Sequence, residues 1–112
     1  MHLDMLWKDL IKENGYIRRV MKLIDLLSVY NFRLYRDDLK TNYAKENSST
    51  IRIVFYENDS FNRNWFEFGV NDWCEREEVI KTIKKVLNKE MLDRKVDSIQ
   101  VDDLEILEIT LK

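Results

Sequence analysis

Few side chains in this sequence have the chemistry of a catalytic centre. The only histidine, His2, is expected to lie in a frayed segment, which makes it a poor base for a nucleophile. The only cysteine, Cys74, stands where a helix is predicted to begin, and the helix dipole there would favour its thiolate. Neighbouring glutamates oppose that effect, so we interpret Cys74 as a packing residue. We expect no enzyme activity.

Neither the paired carboxylates nor the possible metal ligands give stronger evidence of a catalytic site. Asp102 and Asp103 could serve as an acid and a base, but adjacent residues on a strand face opposite sides. One cysteine and one histidine cannot build a zinc site, and no calcium-loop spacing occurs. Gly15 and Gly69 are isolated and form no phosphate-binding loop. We expect neither a metal nor a cofactor.

Acidic side chains are concentrated in residues 90–112. This segment holds seven acidic and three basic residues, a local net charge of −4 that leaves +2 for residues 1–89. The acids, taken as candidate partner-binding residues, are Glu90, Asp93, Asp97, Asp102, Asp103, Glu105 and Glu108. Such asymmetry favours docking onto a basic protein groove, because carboxylates can replace phosphates as partners of arginine and lysine. An ordinary solvated face is the alternative.

Two aromatic side chains form a second candidate surface. By strand alternation, Tyr56 and Trp65 face away from the predicted core, and interfaces favour tyrosine and tryptophan as anchors. Both would be core residues if helices covered both faces of the sheet. We carry Tyr56 and Trp65 as candidate partner-binding residues.

A third charged group lies near the amino end of the sequence. Arg18, Arg19 and Lys22, with Lys8 and Lys12, could contact nucleic acid. Interleaved acids dilute this charge, so we interpret the group as an exposed helix face. The sequence does not favour direct binding of nucleic acid.

Composition limits the class of protein. The 112 residues, 45% hydrophobic, fit a single domain spanning residues 1–112. The net charge of −2 offers no overall field for nucleic acid or an acidic membrane. A single cysteine excludes an internal disulfide, and charged residues interrupt every long apolar run. We expect a cytoplasmic protein that does not enter membranes.

Apolar spacing predicts helices at two places. Within the first thirty residues, an apolar stripe at helical spacing predicts two helices that meet at Asn14-Gly15, or one long helix that tolerates Gly15. The second stripe of this region comprises Ile17, Val20, Met21, Ile24 and Leu27. A later helix has an apolar stripe of Val79, Ile80, Ile83, Val86, Leu87 and Met91, with a capping pattern at Asp72 and Glu75.

Alternating residues predict a sheet. Residues 51–56 and 66–70 alternate with a period of two and predict an antiparallel pair, while residues 32–35 predict a short strand followed by a polar loop. Residues 104–111 are strand-like, but their apolar positions change phase near Ile106 and Leu107. Either a β-bulge there or a central strand covered on both faces explains the change. With the bulge, Glu108 would point outward.

The fold class that follows is α+β. It comprises N-terminal helices, a mostly antiparallel sheet of three or four strands, one helix packed on the sheet and a C-terminal strand.

Several segments together resemble small proteins carried by phages and integrated mobile elements of low-GC Gram-positive bacteria. These segments are residues 21–27, 51–56, 86–90, 93–99 and 104–111. Some compact α+β proteins of such elements are anti-CRISPR proteins, which block an RNA-guided nuclease by covering its DNA-binding surface with acidic residues. The resemblance therefore implies a non-enzymatic inhibitor of a host defence nuclease. An immunity protein that neutralises a toxin, or a nucleic-acid-binding accessory protein, is the alternative.

Overall fold

The computed structural model describes residues 5, 7–30, 49–57, 61–70, 76–102 and 106–112. These ranges contain five helices and four strands. In chain order they are α1 (Trp7–Lys12), α2 (Asn14–Val20), α3 (Leu23–Val29), β1 (Ser49–Tyr56), β2 (Arg63–Val70), α4 (Arg76–Val86), α5 (Lys89–Leu92), β3 (Val96–Asp102) and β4 (Ile106–Leu111). The predicted α+β class is confirmed.

The four strands form one mixed sheet in the order β2-β1-β4-β3. The β1–β2 and β3–β4 pairs are antiparallel, whereas β1 and β4 run parallel. The predicted pairing of residues 51–56 with residues 66–70 is confirmed, with Ile53 opposite Phe66. Two of the three strand pairs are antiparallel, so the sheet is mostly antiparallel as predicted.

One face of the sheet carries the hydrophobic core. Period-two alternation places Ile51 and Ile53 of β1 on the same face as Leu107 and Ile109 of β4. Buried helix residues join the same cluster, among them Leu10, Ile17, Leu23, Leu26, Leu27, Val79, Ile83 and Leu87. The described helices therefore cover this face, which we call the inner face.

The opposite face, which we call the outer face, carries the residues that alternate along each strand with those of the inner face. It presents Arg52, Val54 and Tyr56 from β1, and the register sets Glu67 and Trp65 of β2 beside the first two. Val54 is only 1% exposed although it does not belong to the core cluster. The candidate site lies on this face, which carries both polar and apolar side chains.

The N-terminal helices match the prediction in part. The predicted boundary at Asn14-Gly15 is confirmed, since α1 ends at Lys12 and α2 begins at Asn14. However, Asn14-Gly15 forms the first turn of α2 instead of a left-handed stop. A second break follows, because the backbone at Met21 and Lys22 is extended. Val20, which the sequence predicts to belong to an apolar stripe, is exposed.

The phase change in the last strand comes from its position in the sheet. Strand β4 pairs with β1 in an uninterrupted register from Ile106 to Thr110, so the bulge predicted there is absent. The alternative is confirmed: β4 is central and buried on both faces. An irregularity does occur, but in β3, between Val96 and Ser98.

Some predicted features lie outside the described residues. They are the strand at residues 32–35, the loop that follows it, the cap at Asp72 and Glu75, and Cys74.

Candidate partner-binding surface

A buried carboxylate lies at the centre of the outer face. Glu108 is 6% exposed, and both of its oxygens are engaged. Arg52 Nη1 donates to Oε2 at 3.1 Å, while Gln100 Nε2 and Arg63 Nη2 approach Oε1, each at 3.0 Å. The register explains this convergence, because Arg52, Glu108 and Gln100 occupy one row across β1, β4 and β3.

Hydrogen bonds within this row favour the charged forms of Glu108 and Arg52. Burial alone would raise the pKa of Glu108, but hydrogen bonds from Arg63, Arg52 and Gln100 outweigh it and hold the pKa below its ordinary value. Burial alone would lower the pKa of Arg52, yet its bonds to Glu108 and Glu67 raise it. Arg52 Nε donates to Glu67 Oε1 at 3.0 Å, at the edge of the row. The row is therefore an internal ion-pair network.

This geometry corrects one sequence prediction. The sequence predicts Glu108 to be a docking acid, pointing outward if β4 contains a bulge, but its charge is compensated by Arg52 and Arg63 inside the fold. A partner would have to break those pairs to use Glu108. Its contribution is structural, because it links β4 to each of the other three strands through side chains.

The two predicted aromatic residues lie on the solvent side of the same face. Tyr56 is 40% exposed and Trp65 is 49% exposed. Arg63 extends over the Trp65 ring, with its guanidinium carbon 5.1 Å from the ring centroid. That stacking restricts both side chains and presents a flat amphipathic surface. Phe61, just before β2, is 98% exposed.

An open groove of about 450 Å³ adjoins Tyr56. Strand β1 and the residue after it contribute Phe55, Tyr56 and Glu57, while the region of α5 contributes Asn88, Glu90, Met91 and Arg94. Glu57 and Glu90 are both exposed, and neither forms an ion pair with any described residue. The groove thus combines an aromatic ring, a thioether, the Arg94 guanidinium and two carboxylates that form no ion pair with a described residue.

Local hydrogen bonds fix the walls of this groove. Asn88 caps α5, because its Oδ1 accepts from the Met91 backbone amide at 2.9 Å. Arg94 Nε donates to the carbonyl oxygen of Lys112 at 2.7 Å, and its Nη2 donates to that of Tyr56 at 3.4 Å. Arg94 therefore ties the end of β1 to the segment between α5 and β3.

The remaining predicted acids that the structure describes lie in or beside two elements, α5 and β3. Asp93 is exposed at the end of α5, and Asp97 is half-buried at the irregularity of β3. Asp102 ends β3, while Asp103 and Glu105 lie outside the described residues. Of the predicted acids, Glu90 shares a groove with a predicted aromatic residue, Tyr56. Glu57 and Phe61, which flank the β1–β2 connection, were not predicted as partner-binding residues.

Comparison with known proteins adds no assignment. No family model, no curated protein and no solved structure matches the chain. Within the described residues, no helix is both long and apolar enough to cross a membrane. The same residues contain no group of three or more histidine, cysteine or acidic side chains arranged to hold a metal ion.

Proposed function

We propose that this protein is a non-enzymatic inhibitor that binds a partner protein through the groove beside Tyr56 and the exposed aromatic residues of β1 and β2. The partner we propose is a host defence nuclease, whose basic groove for nucleic acid would receive the inhibitor. The observation that carries the proposal is the meeting of Tyr56 with the carboxylates of Glu57 and Glu90.

The chemistry of the groove selects a cationic side chain. A guanidinium placed against the face of Tyr56 gains a cation–π interaction, and the carboxylates of Glu57 and Glu90 offer it charge-assisted hydrogen bonds. Arginine and lysine side chains line surfaces that bind nucleic acid. A partner arginine in this groove would no longer be available to a phosphate.

The neighbouring aromatic residues supply the apolar part of the interface. Trp65 lies one strand away from the groove and Phe61 lies at the hairpin connection, and both are exposed. Tryptophan and tyrosine are the residues that most often carry binding energy at interfaces. Because Arg63 already restricts Trp65, little side-chain entropy is lost when the ring is covered.

A charge-reversal experiment tests the proposal. The double variant Glu57→Lys with Glu90→Lys is compared with the control Glu77→Lys with Glu78→Lys, which makes the same change in charge on exposed residues of α4. The wild type and the control should capture a nuclease from a host lysate and inhibit its cleavage of DNA in a purified assay. The groove variant should lose both activities.

Substitution of the aromatic residues tests their contribution to binding separately from that of the groove carboxylates. Tyr56→Ala and Trp65→Ala should each weaken binding by about 2 kcal/mol or more, which is a thirtyfold rise in Kd. Equal binding by the groove variant and the control would contradict the proposal. Capture of a toxin from the same locus, in place of a nuclease, would support the immunity-protein alternative.

A further inference from the structure

Three distant segments that carry five basic residues meet where α2 ends. These residues are Arg18, Arg19, Lys22, Lys95 and Lys112, which we call the basic patch. Backbone hydrogen bonds assemble it: Leu23 donates to Arg94, and Val96 donates to Met21. The Lys112 amide donates to the Lys95 carbonyl oxygen at 2.9 Å, and Lys112 Nζ donates to that of Arg18 at 3.0 Å.

Two lysines of the patch directly oppose each other. Lys22 and Lys95 form an isolated antiparallel bridge, and the hydrogen bonds are made by the residues on either side of them. In such a non-hydrogen-bonded pair the Cα atoms are about 4.5 Å apart and the side chains are at their closest. Like charges in this arrangement are destabilising. An anion between the two ammonium groups would remove the repulsion.

The charge of the patch is not neutralised within the described part of the chain. None of the five basic side chains forms an ion pair with a described acid. Asp25, Asp93 and Asp97 are near in sequence but make no such pair. Because the five cations are exposed, their charge faces solvent.

An aromatic side chain adjoins the patch. Tyr16 of α2 is exposed and lies three residues before Arg19, so the two side chains share a helix face. Exposed aromatic rings beside cations form the usual binding surface for single strands, in which bases stack and phosphates pair with lysine and arginine. Tyr16 favours a nucleic acid over a polyanion without bases.

We propose that the basic patch binds the phosphates of a single-stranded nucleic acid, with Tyr16 stacking on a base. The five cations are spread over a surface and do not converge in a pocket, so the ligand carries several phosphates. Phosphate contacts position a strand without reading its bases, so binding is independent of sequence. This site is separate from the groove at Tyr56, and the inference does not depend on the proposed function.

The test measures fluorescence anisotropy of labelled single-stranded RNA and DNA of about 20 nucleotides, between about 50 and 200 mM salt. With three to five phosphates engaged, log K should fall with log salt at a slope of about −2 to −3.5. Duplex DNA, anionic vesicles and polyglutamate serve as competing polyanions. We expect the single strands to bind most tightly.

A pair of matched variants assigns the binding to the patch. Lys22→Glu removes one cation and neutralises Lys95, so the slope should become shallower by about 1.4 and the affinity should fall about tenfold or more. Its thermal midpoint should not fall, because repulsion is replaced by attraction, and this excludes unfolding as the cause. Lys85→Glu on α4 makes the same charge change among exposed lysines and should leave binding unaltered.

Tyr16→Ala distinguishes stacking from charge. It should weaken binding at every salt concentration and leave the slope unchanged, because it removes no cation. The inference is overturned if neither single strand binds at low salt, or if Lys85→Glu weakens binding as much as Lys22→Glu. Tighter binding of vesicles or polyglutamate than of the single strands would also overturn it.

Discussion

Substitution of Glu108 by glutamine should destabilise the fold far more than the same substitution of Glu67. Both acids bind the guanidinium of Arg52, but the Glu108 side chain is 7% exposed and the Glu67 side chain is 46% exposed. Glu108→Gln also removes the negative charge of the carboxylate that pairs with Arg63 and accepts a hydrogen bond from Gln100. Because both arginines keep some contact with solvent, we expect a loss of about 2–3 kcal/mol, below the full cost for a dry ion pair.

Glu67→Gln is the matched control. An exposed ion pair contributes under about 1 kcal/mol, so this variant should remain close to the wild type. Chemical denaturation at about pH 7 gives both free energies of unfolding, and a thermal scan should place Glu108→Gln roughly 8–12 °C below the wild type. Equal losses for the two variants would refute the assignment of Glu108 as the centre of a buried network.

The pH dependence of Glu108→Gln provides an independent check. The pKa of Glu108 is lower in the folded state than in the unfolded chain, so its carboxylate stabilises the fold fully above the unfolded value of about 4.3. That stabilisation is lost as the pH falls through the lower, folded pKa. The gap in unfolding free energy between wild type and Glu108→Gln should therefore be constant above about pH 5 and should shrink towards about pH 3. A gap that widens with acid would contradict the network.

Two further substitutions test local features. Asn88→Ala removes the cap of α5 and should cost about 1 kcal/mol in urea denaturation, whereas Asn88→Gly should cost only a few tenths; equal costs would argue against the cap bond to Met91. Lys22→Glu should raise the free energy of unfolding by about 0.2–1 kcal/mol at low salt, with the gain reduced at high salt, and a loss of stability would argue against repulsion from Lys95.

The elements that could be predicted are those whose pattern is local. Strands β1 and β2 show clean alternation, and α4 has an apolar stripe that contacts the core through Val79 and Ile83. Strand β3 was missed because its irregularity between Val96 and Ser98 breaks the alternation: Val96 and Ile99, three residues apart, are both buried. The break between α2 and α3 was also missed, because Met21 and Lys22 are held extended by pairing with a segment some seventy residues later.

The residues of the candidate site could likewise be predicted only in part. Alternation placed Tyr56 and Trp65 correctly on the exposed side of the sheet. It failed for Glu108, whose partner Arg52 is 56 residues away in sequence and becomes its neighbour only when β4 inserts beside β1. One sequence signal was available: Arg52 interrupts the most apolar strand, and a charge at such a position requires a compensating partner.

The sheet also determines where opposite charges meet the surface. A net charge of −2 conceals an acidic groove and a basic patch, and Arg94 lies between them. Its guanidinium donates to the carbonyl oxygens of Tyr56, in the groove, and of Lys112, in the patch. Arg94 therefore links the groove to the basic patch. Under the two proposals, a nuclease loaded with nucleic acid offers basic side chains to the groove and phosphates to the basic patch. Inhibition of the loaded nuclease should then be more sensitive to Lys22→Glu than binding of the nucleic-acid-free enzyme.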